Sequence, residues 1–252
     1  MSTTAEVQEV NQEQQSQESK DKAKKLLKSL IDAGVHLGHQ KKDWNPKMED
    51  YIFDTKDGVH IINLAMTVNH LMKAADFLKQ QAKLNKNILL VGTSKQTSQI
   101  IKDSADRAEI YYINQRWLGG LITNFETIRA RLNKLREMEL QKETGGFVGY
   151  AKKEVASINR QILKLNKSLG GLKKMRGKPE VIVAFDQIKD AIALIEARKV
   201  NCATVALTDT NCDPTGIDYI IPANDDSMRS IELIAKYLTD AIIEGSALSK
   251  RK

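Results

Sequence analysis

Residues 88–113 have the sequence ILLVGTSKQTSQIIKDSADRAEIYYI, and this stretch decides the fold class. It begins with one short apolar run, Ile88–Gly92, and ends with another, Ile110–Ile113. The residues between them, about Gln96–Ala108, are predicted to form a helix. Because continuous apolar runs of this length are typical of strands buried on both faces, the stretch predicts a strand–helix–strand unit of a parallel sheet.

The same alternation continues on both sides of this unit. Apolar runs predict three further strands: Val181–Phe185, Ala203–Leu207 and Tyr219–Pro222. Helical stretches are predicted at about Thr67–Leu84, Ile188–Lys199 and Ser227–Ile243. The pattern predicts an α/β domain with right-handed crossovers, formed by residues 23–122 and 179–245.

The crossover between the second and third of these strands is much longer than the others. Residues 123–178 contain no strand pattern, and apolar residues recur there at steps of three and four. The two series are Phe125, Ile128, Leu132 and Leu135, and then Val155, Ile158, Ile162, Leu165, Leu169 and Leu172. Such a seam is typical of a coiled coil, and the glycine-containing sequence ETGGFVG at 143–149 separates the two series. We therefore expect an antiparallel coiled-coil hairpin inserted into the α/β domain.

Positive charge is concentrated in this crossover. The whole chain has a net charge of +7 and a pI of about 9.2, which favours polyanionic partners. Residues 123–178 alone contain 14 Lys and Arg against 5 Glu. These cations are either a solvated coiled-coil face or a phosphate-binding surface. The one-sided sign favours phosphate, since a solvated hairpin gains more from mixed charges.

The chain ends differ in composition from the rest. Residues 1–22 are predicted to be a disordered acidic, Gln-rich tail, because they have almost no apolar side chains. They match neither a secretory signal nor an Arg-rich transit peptide. Residues 246–252 are predicted to be a short basic tail. The two cysteines, Cys202 and Cys212, indicate a reducing compartment, and no apolar run is long enough to span a membrane.

Two segments combine cations, aromatic rings and backbone-special residues without periodicity. In the first, Lys41 and Lys42 precede the sequence WNPK at residues 44–47. Its lysines are candidates for phosphate contacts, and Trp44 either stacks on a base or packs against the domain. The second is the sequence NQRWLGG at 114–120, which follows a strand. There Arg116 is a candidate phosphate ligand, whereas Trp117 is expected to seal the core.

Patterns typical of catalysis and of metal or cofactor binding are absent from the sequence. The loop after the first strand, Gly92–Lys95, has neither phosphate-loop motif, so Thr93 or Ser94 is expected to cap a helix. His36 and His39 have no third metal ligand at a recognisable spacing, so a structural or RNA-facing role is expected. The aspartates at 209, 213, 218, 225 and 226 are expected mainly in turns and caps. No cofactor, small-molecule substrate or enzymatic activity is predicted.

Six segments, in order, resemble signatures of the small-subunit ribosomal protein S2 family of bacteria and their descendant organelles. They are AGVHLGHQKKDWNPKM (33–48), GVHIINLAMT (58–67), VGTSKQ (91–96), INQRWLGGLITNF (113–125), SLGGLKKM (168–175) and DTNCDPTGIDYIIPANDDSMRSI (209–231). The chain departs from the family pattern at Ser94, where a cation is usual, and at Gln187. The resemblance covers about residues 28–245.

The resemblance implies a flavodoxin-like three-layer sandwich and a structural role in the small subunit of a bacterial-type ribosome. It implies contacts with rRNA and with neighbouring ribosomal proteins, in bacteria including the large ribosomal protein S1. The implied location is the bacterial cytoplasm, or alternatively the plastid stroma. The candidate rRNA-binding residues are Lys41, Lys42, Trp44, Asn45, Lys47, Lys95, Arg116, Lys164, Lys167, Lys173, Lys174 and Arg176.

Two other classes of function compete with this interpretation. A nucleotide- or metal-dependent enzyme is compatible with an α/β sheet, since fold does not fix function, but it lacks a phosphate loop. A coiled-coil adaptor is compatible with the hairpin, but its arm should expose apolar anchors rather than a run of cations.

Overall fold

A computed structural model describes residues 24–145, 150–175 and 177–249. In this part of the chain the strands are β1 (Leu37–Gln40), β2 (Ile52–Lys56), β3 (Val59–Ile62), β4 (Ile88–Val91), β5 (Tyr111–Ile113), β6 (Val181–Ala184), β7 (Ala203–Thr208) and β8 (Tyr219–Pro222). The helices are α1 (24–32), α2 (Leu64–Lys83), α3 (Lys95–Ala108), α4 (Phe125–Glu143), α5 (Lys152–Leu169), α6 (Ala191–Lys199) and α7 (Met228–Ser249).

The central sheet has five parallel strands in the order β5-β4-β6-β7-β8. The predicted α/β class and the five strands are therefore confirmed, although the edge strands β5 and β8 are only partly buried. Numbered from β4 onwards, this is the order 2-1-3-4-5 that flavodoxin-like sheets show. The order reverses between β4 and β6, and the crossover from β5 to β6 contains α4 and α5.

The strands are continuously apolar because helices cover both faces of the sheet. On one face Ile88, Leu90 and Val183 join a core with α2, α3 and α7. On the other face Leu89 and Ile182 join a core with the first part of α4, the end of α5 and α6. Alternate residues of one strand thus enter different cores, which is consistent with the three-layer arrangement that the resemblance implies.

A second, antiparallel sheet with the order β1-β3-β2 was not predicted from the sequence. Asp57 and Gly58 connect β2 to β3 with positive φ angles of 53° and 78°, which form the tight turn that Asp-Gly favours in hairpins. The sequence pattern missed these strands because β1 and β2 have no fully buried residue and therefore no alternation. Hydrogen bonds to Thr210, just after β7, attach this sheet to the larger one, from His39 N (2.9 Å) and Asn45 N (2.8 Å).

Helices α4 and α5 contact each other at apolar positions of both predicted series, together with Met138, which the sequence analysis did not select. Leu135 and Met138 of α4 pack against Ile162 of α5, with Ile158 and Leu165 beside them. The earlier part of the α4 series, Phe125, Ile128 and Leu132, belongs instead to the core on the sheet. The two helices are therefore held by the body at their base. Residues 146–149, which join the pair, lie outside the described part.

The chain ends are described in part. The predicted disordered tail, residues 1–22, lies outside the described residues, as do residues 250–252 of the predicted basic tail. Helix α7 continues to Ser249, past Gly245, where the domain was expected to end. None of the helices in the described ranges has the length and apolar character needed to cross a membrane. Cys202 and Cys212 are free thiols in buried positions.

Gly245 tests the packing of α7 on α2. A Cβ atom at this position would lie 2.2 Å from the Lys79 carbonyl oxygen and 2.9 Å from the Ala82 Cβ. We expect Gly245→Ala to lower the free energy of unfolding by about 1–3 kcal/mol, because backbone must move apart to admit the methyl group. Urea unfolding measures this. Gly119→Ala is the control, since its Cβ meets no heavy atom within 4 Å, and equal midpoints for the two variants would contradict the prediction.

Candidate nucleic-acid interface

The loop between β5 and α4 is held by one carboxylate, that of Glu196 on α6. Its Oε1 accepts hydrogen bonds from Trp117 Nε1 (3.1 Å) and Gly120 N (2.7 Å). Its Oε2 accepts from Ile122 N (3.1 Å), Thr123 N (3.2 Å) and Thr123 Oγ1 (3.1 Å). Burial raises the pKa of Glu196, but these hydrogen bonds outweigh burial and hold the pKa below its ordinary value.

The start of the same loop is attached to α3. Asn114 Nδ2 donates to the Ser98 carbonyl (3.1 Å), and Ser98 Oγ donates to the Asn114 carbonyl (2.6 Å). Trp117 is buried in the core, as predicted, while Arg116 is exposed. The loop therefore presents the Arg116 guanidinium to solvent between two anchored residues, and nothing in the geometry prevents a phosphate contact.

The segment containing Trp44 is a structured turn. Asn45 Oδ1 accepts from Lys47 N (3.0 Å) and caps the short helix Pro46–Tyr51, so its side chain has a structural role. The ring of Trp44 is half-buried and lies against His60, with ring centroids 5.2 Å apart. This packing favours the interpretation of Trp44 as an anchor over a base-stacking role.

The cations of this turn differ in whether they form an ion pair within the protein. Lys41 and Lys42 are exposed, as is Lys95, which lies outside this turn at the first residue of α3. Lys47 Nζ, by contrast, lies 2.7 Å from Asp213 Oδ2 and donates to Thr215 Oγ1 (3.1 Å). The hydrogen bond from Lys47 lowers the pKa of Asp213. An ion pair of this kind already partly neutralises Lys47, which makes it a weaker phosphate ligand than its neighbours.

Ser94 confirms the expected role of the loop after β4. It is the N-cap of α3, and its Oγ accepts from Thr97 N (3.2 Å), while Ser94 N donates to Thr97 Oγ1 (3.1 Å). This reciprocal pair satisfies two N–H groups at the start of the helix.

The cations at the end of α5 also fall into two groups. Lys164, Lys167 and Lys174 are exposed and form no ion pair within the described residues. Lys173 Nζ lies 2.7 Å from Glu139 Oε1 on α4, and the same oxygen accepts from Asn166 Nδ2 (2.6 Å). Arg176 lies outside the described residues. No hydrogen bond or ion pair in the described ranges links this set to the Trp44 segment.

The structure assembles one cluster that the sequence analysis missed. His39 Nδ1 lies 3.3 Å from Asp209 Oδ1, and His39 Nε2 lies 3.3 Å from Asp226 Oδ2. His39, Asp209 and Asp225 offer ligand atoms within 4.8 Å of one another, a spacing that can hold a metal ion. The sequence offered no third ligand at a recognisable spacing because these aspartates are far from His39 along the chain, and the ion pairs of His39 are compatible with the expected structural role. His36 is not part of this group.

Interactions within this cluster set its protonation. Contact with the Asp209 carboxylate raises the pKa of His39 to about 9, while burial opposes this rise. Burial, together with the charge of Asp209, raises the pKa of Asp225 to about 8. Near neutral pH His39 is therefore charged and Asp225 is protonated, which limits the negative charge around Asp209.

Comparison with known proteins identifies a family and similar curated relatives. The family model described as Ribosomal protein S2 matches residues 30–245. Among curated proteins, the "Small ribosomal subunit protein uS2" of Solibacter usitatus (strain Ellin6076) is 45% identical over 224 residues. This alignment covers 88% of the present chain and 74% of the relative.

Glu196→Gln tests the anchoring of the loop. The substitution keeps the size of the side chain but turns one acceptor into a donor that faces N–H groups. We expect the free energy of unfolding to fall by about 2–4 kcal/mol, because buried donors lose their charged partner. Chemical unfolding measures the effect. The exposed Glu137→Gln on α4 should stay within about 0.5 kcal/mol of the parent protein. A loss no larger than in this control would show that Glu196 is not an anchor.

The His39 cluster predicts a pH dependence of stability. The folded state raises the pKa of His39 from 6.5 to about 9 and that of Asp225 from 3.8 to about 8. Both groups keep protons that the unfolded chain releases, so we expect stability to fall from about pH 4 to about pH 9, most steeply between pH 6.5 and 8, where both groups contribute. Thermal unfolding across this range measures the slope, and both His39→Asn and Asp225→Asn should flatten it. A slope unchanged in both variants would contradict the prediction.

Proposed function

Because the chain belongs to the ribosomal protein S2 family, we propose that it binds rRNA chiefly through the cations at the end of α5 and in the segment that leads from α5 to β6. The family makes it a structural constituent of the small ribosomal subunit and not an enzyme. The competing interpretation as a nucleotide- or metal-dependent enzyme is thereby set aside.

The observation that carries this proposal is the excess of positive charge in α5 and in the segment that follows it. Residues 151–178 contain nine Lys and Arg and one Glu. Lys164 and Lys167 are three residues apart and therefore lie on one side of the helix, away from the buried Ile162 and Leu169. A row of cations that no carboxylate neutralises is stabilised by phosphate, and its binding depends on charge and shape more than on base sequence.

We further propose that α4 and α5 form a coiled-coil hairpin, residues 123–178, inserted into a flavodoxin-like domain of residues 23–122 and 179–245. The contact of Leu135 and Met138 with Ile162 supports the seam. The interhelical hydrogen bond from Asn166 to Glu139 supports a fixed register between the helices. The end of α5 is held by the sheet core, so its exposed cations lie near the base of the hairpin, where an RNA helix has access to them.

The second group of proposed rRNA contacts lies on the body. Its members are Lys41, Lys42, Lys95 and Arg116, which are exposed, together with Trp44, Asn45 and Lys47 as a shaped turn. Lys47 is paired with Asp213 and Lys173 with Glu139, so we expect these two lysines to contribute less to RNA binding than the unpaired ones. Arg176 is proposed as an rRNA contact because of its charge alone.

The partners and location follow from membership of a ribosomal particle. We propose contacts with neighbouring small-subunit proteins, which in a bacterium include ribosomal protein S1. The proposed location is the bacterial cytoplasm, with the plastid stroma as the alternative. No cofactor or small-molecule substrate is proposed.

A triple substitution tests the α5 surface. We expect Lys164, Lys167 and Lys174, all changed to Gln, to weaken binding to an rRNA fragment with little regard to its sequence. Each lost phosphate contact should reduce the slope of log affinity against log salt by about 0.7–0.9. Folding stability should change by only a few tenths of a kcal/mol per site. The measurement is binding across a salt series, together with a melting curve.

The control carries the same loss of charge elsewhere. Lys73, Lys83 and Lys86 are exposed on or just after α2, and changing all three to Gln should leave the salt slope close to that of the parent protein. If the two folded triple variants have the same slope and affinity, the α5 cations are merely a solvated face. RNA binding would then have to rest on the body.

A further inference from the structure

Phe53 on β2 is the most exposed large apolar side chain in the described residues, with 74% of its surface accessible. Its neighbours in the sequence are packed. Met48 is fully buried, and the ring of Tyr51 lies against that of His70, with centroids 5.7 Å apart. A single exposed apolar residue needs no explanation by itself, so the argument rests on the local backbone and the surrounding charge.

The backbone at Phe53 has an irregular register. Ile52 pairs with Ile62 and Asp54 pairs with Ile61, so Phe53 is an extra residue on β2 with no partner on β3. A bulge of this kind redirects the side chain of the inserted residue, and such bulges are common next to functional surfaces. At Phe53 the bulge points an aromatic ring to solvent from a strand whose outer edge has no partner strand in the described part of the protein.

The segment around this ring is acidic, although the chain as a whole is basic. Residues 49–57 contain four carboxylates and one lysine, a net charge of −3. Glu49, Asp50, Asp54 and Asp57 are all exposed, and none of them forms an ion pair within the described residues. These four residues and Phe53 are called the Phe53 surface below.

The sign of the charge identifies the class of partner. Phosphate groups of RNA are repelled by four unpaired carboxylates, so base stacking on Phe53 is disfavoured. A Lys- or Arg-rich protein segment gains ion pairs with the carboxylates, and its cations bind favourably over the ring face. We propose that the Phe53 surface docks a basic segment of a neighbouring protein in the small subunit. This proposal rests on the proposed function only in placing the chain in that particle.

Site-specific photocrosslinking tests the partner directly. The full chain, with Phe53 replaced by the photoreactive p-benzoylphenylalanine, is assembled into small subunits and irradiated. The expected adduct is a protein, and mass spectrometry should locate the attachment in a Lys- or Arg-rich peptide. An adduct with rRNA, an adduct with a peptide that is not basic, or the absence of any adduct would overturn the proposal. A melting curve of the free variant should match that of the parent, since Phe53 is exposed.

A second photoreactive position separates this proposal from the proposed function. Leu163 is 70% exposed on α5, next to Lys164, and the same replacement there should give an rRNA adduct. If Leu163 yields no rRNA adduct while Phe53 yields a basic peptide, the α5 assignment fails and the docking surface stands. If Leu163 yields an rRNA adduct while Phe53 yields no basic peptide, the docking proposal fails and the α5 assignment stands.

Charge variants test the role of the carboxylates. Adding Asp50→Asn and Asp54→Asn to the photoreactive chain removes two charges with little change of shape. The adduct yield at position 53 should fall about threefold, the effect of two exposed ion pairs. Glu137→Gln with Glu232→Gln removes two charges from exposed sites on α4 and α7, and should leave the yield unchanged. Equal yields from both pairs would show that charge does not select the partner.

Discussion

The carboxylate of Glu196 is the constraint on which the long crossover depends. It lies on α6 and accepts five hydrogen bonds from residues 117–123, immediately before α4 begins. A buried charge without a cation is costly, but these donors and the nearby amino end of α4 stabilise the ionised form. One side chain thus fixes where the chain leaves the sheet and the direction in which α4 starts. The position of the α5 cations follows from it.

At the carboxyl edge of the parallel sheet, the protein itself covers part of the region where α/β enzymes bind their ligands. In open sheets of this kind, ligands usually bind beyond the carboxyl ends of the strands. In this chain the antiparallel sheet covers part of that edge, because His39 N and Asn45 N both bond to Thr210. Asp209 at the same edge is fully buried beside His39. The usual ligand region is therefore partly occupied by the protein itself, and binding surfaces lie on the outside.

The two proposed outer surfaces have opposite charge. Cations dominate the end of α5, whereas carboxylates surround Phe53 on β2. Opposite signs allow one small chain to contact an RNA and a basic protein without competition between them. At Lys47–Asp213 and Lys173–Glu139, the two charges neutralise each other within the chain and are less available to a partner. The free charges, and not the total charge, define the surfaces that remain for partners.

Features that depend only on neighbouring residues are visible in the sequence. The apolar runs gave the five parallel strands because both sheet faces are covered, and the steps of three and four predicted the buried positions Phe125, Ile128, Leu132 and Leu135. The sign of the charge on α5 was also visible. Tertiary structure alone decided the role of Glu196, whose partners are 73 to 79 residues away, and the meeting of His39 with Asp209. It also decided the exposure of Phe53, because a bulge depends on the partner strand. Local patterns record what each element buries, but contacts between distant segments exist only once the chain has folded.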